Sequence, residues 1–179
     1  MSVLPVVKYG NTILRKKVKF INPDMISDLR NLINNMFDTM YEEEGIGLAA
    51  NQVGFDMNLM VIDVSHLDEY KNIEPMVFIN TEILEEKGYI EIEEGCLSIP
   101  EIRASVKRAE TVVVKFYDEE GNRKTQKFSG MLCRVILHEL DHLNGKFFTD
   151  YLSPAKRKLV HNKLIEISKN GYPSTGVIL

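Results

Sequence analysis

Cysteine is scarce in this sequence: Cys96 and Cys133 are the only two in 179 residues. Two thiols in a chain of this length do not make a disulfide framework. No apolar run reaches the roughly 18 residues that a membrane-spanning helix needs. The N-terminal stretch MSVLPVVKYGNTILRKK has no long apolar run after a basic start, so no secretory signal is expected, and it is unlike a Ser- and Arg-rich transit peptide. Positive charge is not in excess either. The formal net charge is -4, which gives nucleic acid no footing through bulk electrostatics. Internal repeats, low-complexity tracts and linkers are all missing. These absences point to a reducing cytoplasm, where free cysteines serve core packing, metal binding or catalysis.

What is present is an ordinary globular balance, 44% apolar and 27% charged. The length fits one domain over residues 1–179, able to bury a core without staples. SDLRNLINNMFDTMYEEEG reads as an amphipathic helix: Leu29, Leu32, Ile33, Met36, Phe37 and Met40 recur at helical spacing, with Ser27 as the N-cap. MNLMVIDVS and PMVFINTEIL have strand length and composition. KGYIEIEEG alternates polar and apolar residues as a half-buried strand does. TVVVKFYDEEGNRKTQKFS reads as two strands joined by a turn at Glu120-Gly121-Asn122. GMLCRVILHELDHLNG reads as a helix beginning after Gly130 and ending near Gly145; its apolar surroundings make it central and buried. A last helix starts at Ser153-Pro154 and runs to about Ser168. Strands cluster in the middle and do not alternate with helices. The expected class is therefore α+β, with mainly antiparallel sheets packed around the central helix and one further helix toward each end.

The central helix carries the chemistry. On a helix, His138 and His142 in HELDHLNG project from one face, one turn apart, where two imidazoles can bind one divalent metal. Glu139 sits about 100° around the helix from His138, so it can lie beside a metal without ligating it and act as general base for a bound water. Asp141 is a candidate supporting carboxylate. Burying four such groups on an apolar helix without mutual use would be costly, which argues against two ordinary surface histidines.

Cys96, in EEGCLSIP, is available as a third ligand, but from the residues alone it reads equally as core filling. Cys133 is rotated away from the histidine face and reads as core. EGIGLAANQVG offers Gly45 and Gly47, where backbone can approach a ligand closely, yet it also reads as a tight turn with Gln52 as a polar residue on a short segment. It has neither dinucleotide nor P-loop spacing.

GIGLAANQ at 45–52, EGCLS at 94–98 and HELDH at 138–142, in this order and at these spacings, resemble the peptide deformylases of the bacterial type. NTILRKK near the start and GKFFTDYLSP after the helix extend the similarity. The resemblance implies the α+β deformylase fold and removal of the formyl group from the formyl-methionine of nascent bacterial polypeptides in the cytoplasm, with release of formate. It implies Cys96, His138 and His142 as metal ligands, with Fe(II) the usual ion and Zn or Ni able to substitute. Glu139 would take the water proton and deliver it to the leaving amine. The Gln52 amide and the Leu97 backbone N–H would donate to the oxyanion. The backbone of Gly45–Gly47 and Glu94–Gly95 would pair with the extended peptide by strand addition. Ile46, Ile92 and Val135 would line the methionine pocket.

Two departures stand out. Leu137 occupies the place before the His-Glu pair where many family members carry Gln, which removes any hydrogen bond that amide would make. The tail NGYPSTGVIL is not the long charged helix often seen in the family; a mobile terminus is expected there. Arg103 reads as a structural partner near the site that orients Glu94, as a contact for the peptide, or as a surface charge, and His66 and His161 read as surface residues. The ribosome is an implied partner, with the basic run Lys156-Arg157-Lys158 as a docking element or simply a solvated face. Two other readings remain open: a zinc protease, since HELDH also satisfies His-Glu-x-x-His, and a metal or peptide binder without turnover.

Overall fold

The computed structural model describes residues 2–170. Its elements run α1 (Arg30–Glu42), β1 (Gly47–Ala49), β2 (Leu59–Ile62), β3 (Met76–Lys87), β4 (Ile90–Cys96), β5 (Ile99–Arg108), β6 (Thr111–Tyr117), β7 (Arg123–Ser129), α2 (Gly130–Leu143) and α3 (Pro154–Asn170). Short 3-10 turns join them, among them Pro23–Leu29, Ala50–Val53 and Asp68–Tyr70. Five strands form one antiparallel sheet in the order β1-β2-β3-β6-β7, and β4 pairs only with β5 as a separate antiparallel hairpin. Among the described residues no helix is long and apolar enough to cross a membrane.

The run LMVI at 59–62 is buried throughout because the sheet is covered on both faces. Met60 and Ile62 point to one side and join Phe78, Val114, Phe116 and the α2 residues Ile136, Leu140 and Leu143. Leu59 and Val61 point to the other and join Ile33, Met36 and Met40 of α1. A third cluster packs β5 residues Ile99, Ile102 and Val106 against Phe147, Phe148 and α3, with Val7 of the N-terminal segment. The α+β expectation and the central buried helix are thus realised: α2 sits between the large sheet and the hairpin.

Three expectations need correction. Ser27 does not cap the first helix. It lies inside the 3-10 turn Pro23–Leu29, whose start is capped by Asn22, and α1 begins only at Arg30; Pro at position 23 pre-sets a turn start upstream. Strand β4 is not half-buried. Ile90 and Ile92 are exposed, 43% and 37%, because their face lines open clefts and the hairpin's core contacts come from β5. The segment after α1 is not only a turn, since Gly47–Ala49 joins the edge of the large sheet. The tail at 171–179 lies outside the described residues.

Candidate metal centre

Helix α2 places His138 and His142 on one face, and their Nε2 atoms lie 3.2 Å apart. The β4–β5 hairpin turns tightly through Leu97-Ser98, since Cys96 pairs with Ile99, and this brings Cys96 Sγ to 3.1 Å from His142 Nε2. The three donor atoms all lie within 4.8 Å of one another. Bond lengths of about 2.0–2.3 Å to a tetrahedral ion give ligand–ligand edges of roughly 3.3–3.6 Å, close to these spacings. The donor set therefore fits a divalent transition metal. Burial opposes charge on His138, but Cys96 and Glu94 outweigh it and push its pKa up to about 10. Burial, reinforced by the neighbouring His138, pushes His142 well below its ordinary value, which favours the neutral imidazole that a metal ligand requires.

Glu94 orients the first imidazole. Its Oε2 accepts from His138 Nδ1 at 2.9 Å, which leaves Nε2 free to ligate. The same carboxylate accepts from Arg108 Nε at 2.6 Å and Nη2 at 3.0 Å, and from Arg134 Nη1 at 2.6 Å. Burial works against its charge, yet His138 and Arg108 hold its pKa down at about 2. Arg108 reaches on to Asp141 at 2.6 Å, and Asp141 also accepts from Tyr151. Asp141 is thus the supporting carboxylate expected. Arg103 instead pairs with Glu93 at the surface, at 2.8 Å; it is a structural pair, but Arg108 and Arg134 are the residues that orient Glu94. An arginine orienting Glu94 was expected, but from Arg103; sequence reading missed Arg108 and Arg134.

Glu139 is 4% exposed, lines the cleft, and its Oε2 has no hydrogen-bond partner among the described residues. Burial pushes its pKa up to about 7. It lies hard against β1: a Cβ on Gly47 would sit 2.7 Å from Glu139 Oε1 and 2.6 Å from Val135 Cγ1. Gln52 is buried in the 3-10 turn after β1. Its Oε1 accepts from Ala49 N–H at 2.8 Å, which aims Nε2 at Ser98 Oγ, 3.3 Å, and Cys96 Sγ, 3.6 Å.

A cleft of about 500 Å³ opens in front of these groups. One side is the Gly45–Gly47 segment, leading into the edge of the large sheet; Asp63 N–H holds Ile46 O at 3.1 Å. The other side is the free edge of β4 with Ile92, Glu94, Gly95 and Leu97. Ile46, Ile92 and Val135 line it together, joined by Met131, which the sequence did not single out. His142 sits behind this lining, 1% exposed. Tyr70 was also missed: its OH accepts from Met131 N–H at 2.9 Å and so caps the start of α2, which has no side-chain cap of its own. Leu137 packs in the core, and its carbonyl accepts from Arg108 at 3.4 Å. Cys133 is fully buried, donates to Ala109 O, and burial pushes its pKa up to about 11, as an inert core thiol. His66 and His161 are exposed and outside the metal-binding group.

A His-Glu-x-x-His helix meeting an upstream cysteine inside an α+β frame defines a hydrolase built on a Cys-His-His metal-binding group. The family model described as polypeptide deformylase matches residues 3–158. A peptide deformylase of Tolumonas auensis is 45% identical over 95% of this chain and 99% of its own length; one from Christiangramia forsetii is 44% identical over 93% and 90%. Among solved structures, a peptide deformylase from Legionella pneumophila superposes with a TM-score of 0.83 at 39% identity, covering 94% of this chain and 97% of that one. The Thermus thermophilus peptide deformylase gives 0.86 at 32%, covering 95% and 100%. The chain belongs to the polypeptide deformylase family.

Proposed function

We propose that the protein removes the formyl group from N-formyl-methionyl peptides as they emerge from the ribosome in the bacterial cytoplasm, releasing formate. The observation that carries this reading is the meeting of the Cys96, His138 and His142 donors with the unpartnered Oε2 of Glu139, in a cleft between two free strand edges. Cys96, His138 and His142 would hold the ion, Fe(II) by family resemblance with Zn or Ni as substitutes, and such an ion lowers the pKa of water and polarises a carbonyl.

The remaining steps belong to the protein. Glu139 Oε2, with no competing partner, takes the proton of the attacking water and passes it to the leaving amine. Gln52 Nε2 and the Leu97 N–H, at the hairpin turn, donate to the oxygen that gains charge. The extended peptide adds as a strand between the Gly45–Gly47 segment and the β4 edge at Glu94–Gly95. The methionine side chain lies on Ile46, Ile92 and Val135, with Met131 supplying a further adaptable wall. Cys96 lies upstream of the helix and His161 lies outside the group, which speaks against the protease reading. Within the basic run, Arg157 is engaged by Asp150 O at 2.7 Å and Lys156 lies 3.9 Å from Glu91, so Lys158 is the residue freest to meet the ribosome.

The test is formate release from a formyl-methionyl tripeptide by protein purified without oxygen, with metal content measured in the parent and in Glu139→Gln. Turnover in the parent, and metal retained with activity largely gone in the variant, is the expected result. A metal-loaded parent without turnover overturns the reading in favour of a binder.

A further inference from the structure

The N-terminal segment is bonded to the backbone of both turns that carry the oxyanion donors of the proposed reaction. Val7 N–H donates to Gln52 O at 2.7 Å, and Tyr9 N–H donates to Ser98 O at 2.8 Å. Two residues of one strap thus tie the 3-10 turn carrying Gln52 to the hairpin turn carrying Leu97 and Ser98. The strap is itself fixed: Val7 is 3% exposed within the third core cluster, and the Tyr9 ring packs on Phe147 with centroids 5.1 Å apart. Between them, Lys8 swings its side chain onto the same turn, and its Nζ donates to Leu97 O at 3.0 Å.

Lys8 has no carboxylate partner among the described residues. A half-buried ammonium held only by a carbonyl loses hydration without gaining an ion pair, so packing alone is a poor reason to keep a lysine there. A lone positive charge on the peptide unit next to an oxyanion donor has a direct use. It fixes the turn that aims the Leu97 N–H, and it adds favourable potential where negative charge develops.

We infer that Lys8 is a positioning residue for the reaction, acting through the Leu97–Ser98 turn; this rests on the deformylase reading and on Leu97 as a donor. Its contribution is greatest when the carbonyl oxygen carries charge, so it lowers the barrier more than it strengthens substrate binding.

The experiment compares the metal-loaded parent with Lys8→Met and Lys8→Arg on a formyl-methionyl tripeptide, recording kcat, KM, metal content and thermal midpoint. Lys8→Met should lower kcat about tenfold with KM changed by less than about twofold, and Lys8→Arg should recover most of the loss. Metal content and midpoint should match the parent in both. The inference is overturned if kcat of Lys8→Met stays within about twofold of the parent, if the loss tracks metal or midpoint, or if Lys8→Arg is no better than Lys8→Met. An inactive parent overturns the reaction itself and the role of Lys8 with it; an active parent with an unaffected Lys8→Met overturns only the role of Lys8.

Discussion

Gly47→Ala is the smallest change that should disable the site while leaving its metal ligands intact. An added Cβ would lie 2.6 Å from Val135 Cγ1 and 2.7 Å from Glu139 Oε1. Both are about 0.7–0.8 Å inside ordinary contact, where repulsion rises steeply. The β1 backbone cannot retreat easily, because Gly47 pairs with Ile62 in the sheet. Glu139 and Val135, both buried on α2, must give way instead. A misplacement approaching 1 Å at a reacting group lowers rate by about 100-fold. We therefore expect kcat/KM of Gly47→Ala on a formyl-methionyl tripeptide to fall about 100-fold, with metal content unchanged. At Gly95, on the opposite wall, an added Cβ would lie 3.4 Å from Arg103 Nη1, 3.7 Å from Arg103 Cγ and 3.8 Å from Ile102 O, all ordinary contacts, so the clash is particular to Gly47. A Gly47→Ala enzyme whose kcat/KM stays within about threefold of the parent would refute the claim that Glu139 is held by contact with β1.

Arg108→Met leaves Glu94 with fewer donors and Asp141 without its guanidinium, in a cluster where Arg108 is 6% exposed. Removing one partner from a buried ionic cluster costs about 3–5 kcal/mol, so denaturant titration should show a loss of that order; a loss under about 1 kcal/mol would mean that the cluster is solvated. Asp118 organises the β6–β7 turn. Burial opposes its ionisation, but Lys124 and the Asn122 donors outweigh it and hold its pKa below the ordinary 3.8. A carboxyl whose folded-state pKa is lowered contributes stability that is complete above its unfolded value and lost as pH falls below it. Asp118→Asn should therefore be less stable than the parent at neutral pH, with the gap narrowing below about pH 4 in thermal melts. An equal gap at every pH would contradict this.

Much of the ligand set could be read in advance because its geometry is local. Four residues of spacing on a helix fix His138 and His142 whatever surrounds them, and the apolar residues around them announce burial. Other features depend on tertiary contacts that no local pattern encodes. Arg108 and Arg134 look like ordinary charges in strand and helix sequences; only the fold turns both onto Glu94. Tyr70 reaches α2 from a 3-10 turn 61 residues earlier. Strand β1 has only three residues, too few for a period of two to appear, and its Gly-Leu-Ala sequence gives little β propensity. The exposure of β4 was misjudged for a related reason: alternation reveals which residues share a face, but not whether that face meets a core or a cleft.

The charges of the site sort into two balanced groups, and this bears on why so many are buried. Glu94 and Asp141 are matched by Arg108 and Arg134 through hydrogen bonds of 2.6–3.0 Å. A buried ionic cluster adds little to stability against an apolar replacement, so its use here is orientation: it fixes the carboxylate that fixes His138. Because those charges cancel among themselves, Glu94 is not left over to neutralise an ion. That leaves the Cys96 thiol and the Glu139 carboxyl outside the paired cluster, two groups whose deprotonated forms together would match the charge of one divalent cation. Without the cation, burial drives Glu139 toward its neutral form, about pKa 7. In the proposed reaction a bound divalent cation would supply a compensating charge and favour the ionised form that a general base requires. Metal and base would then be coupled through charge balance, because the arginine–carboxylate cluster is already paired within itself.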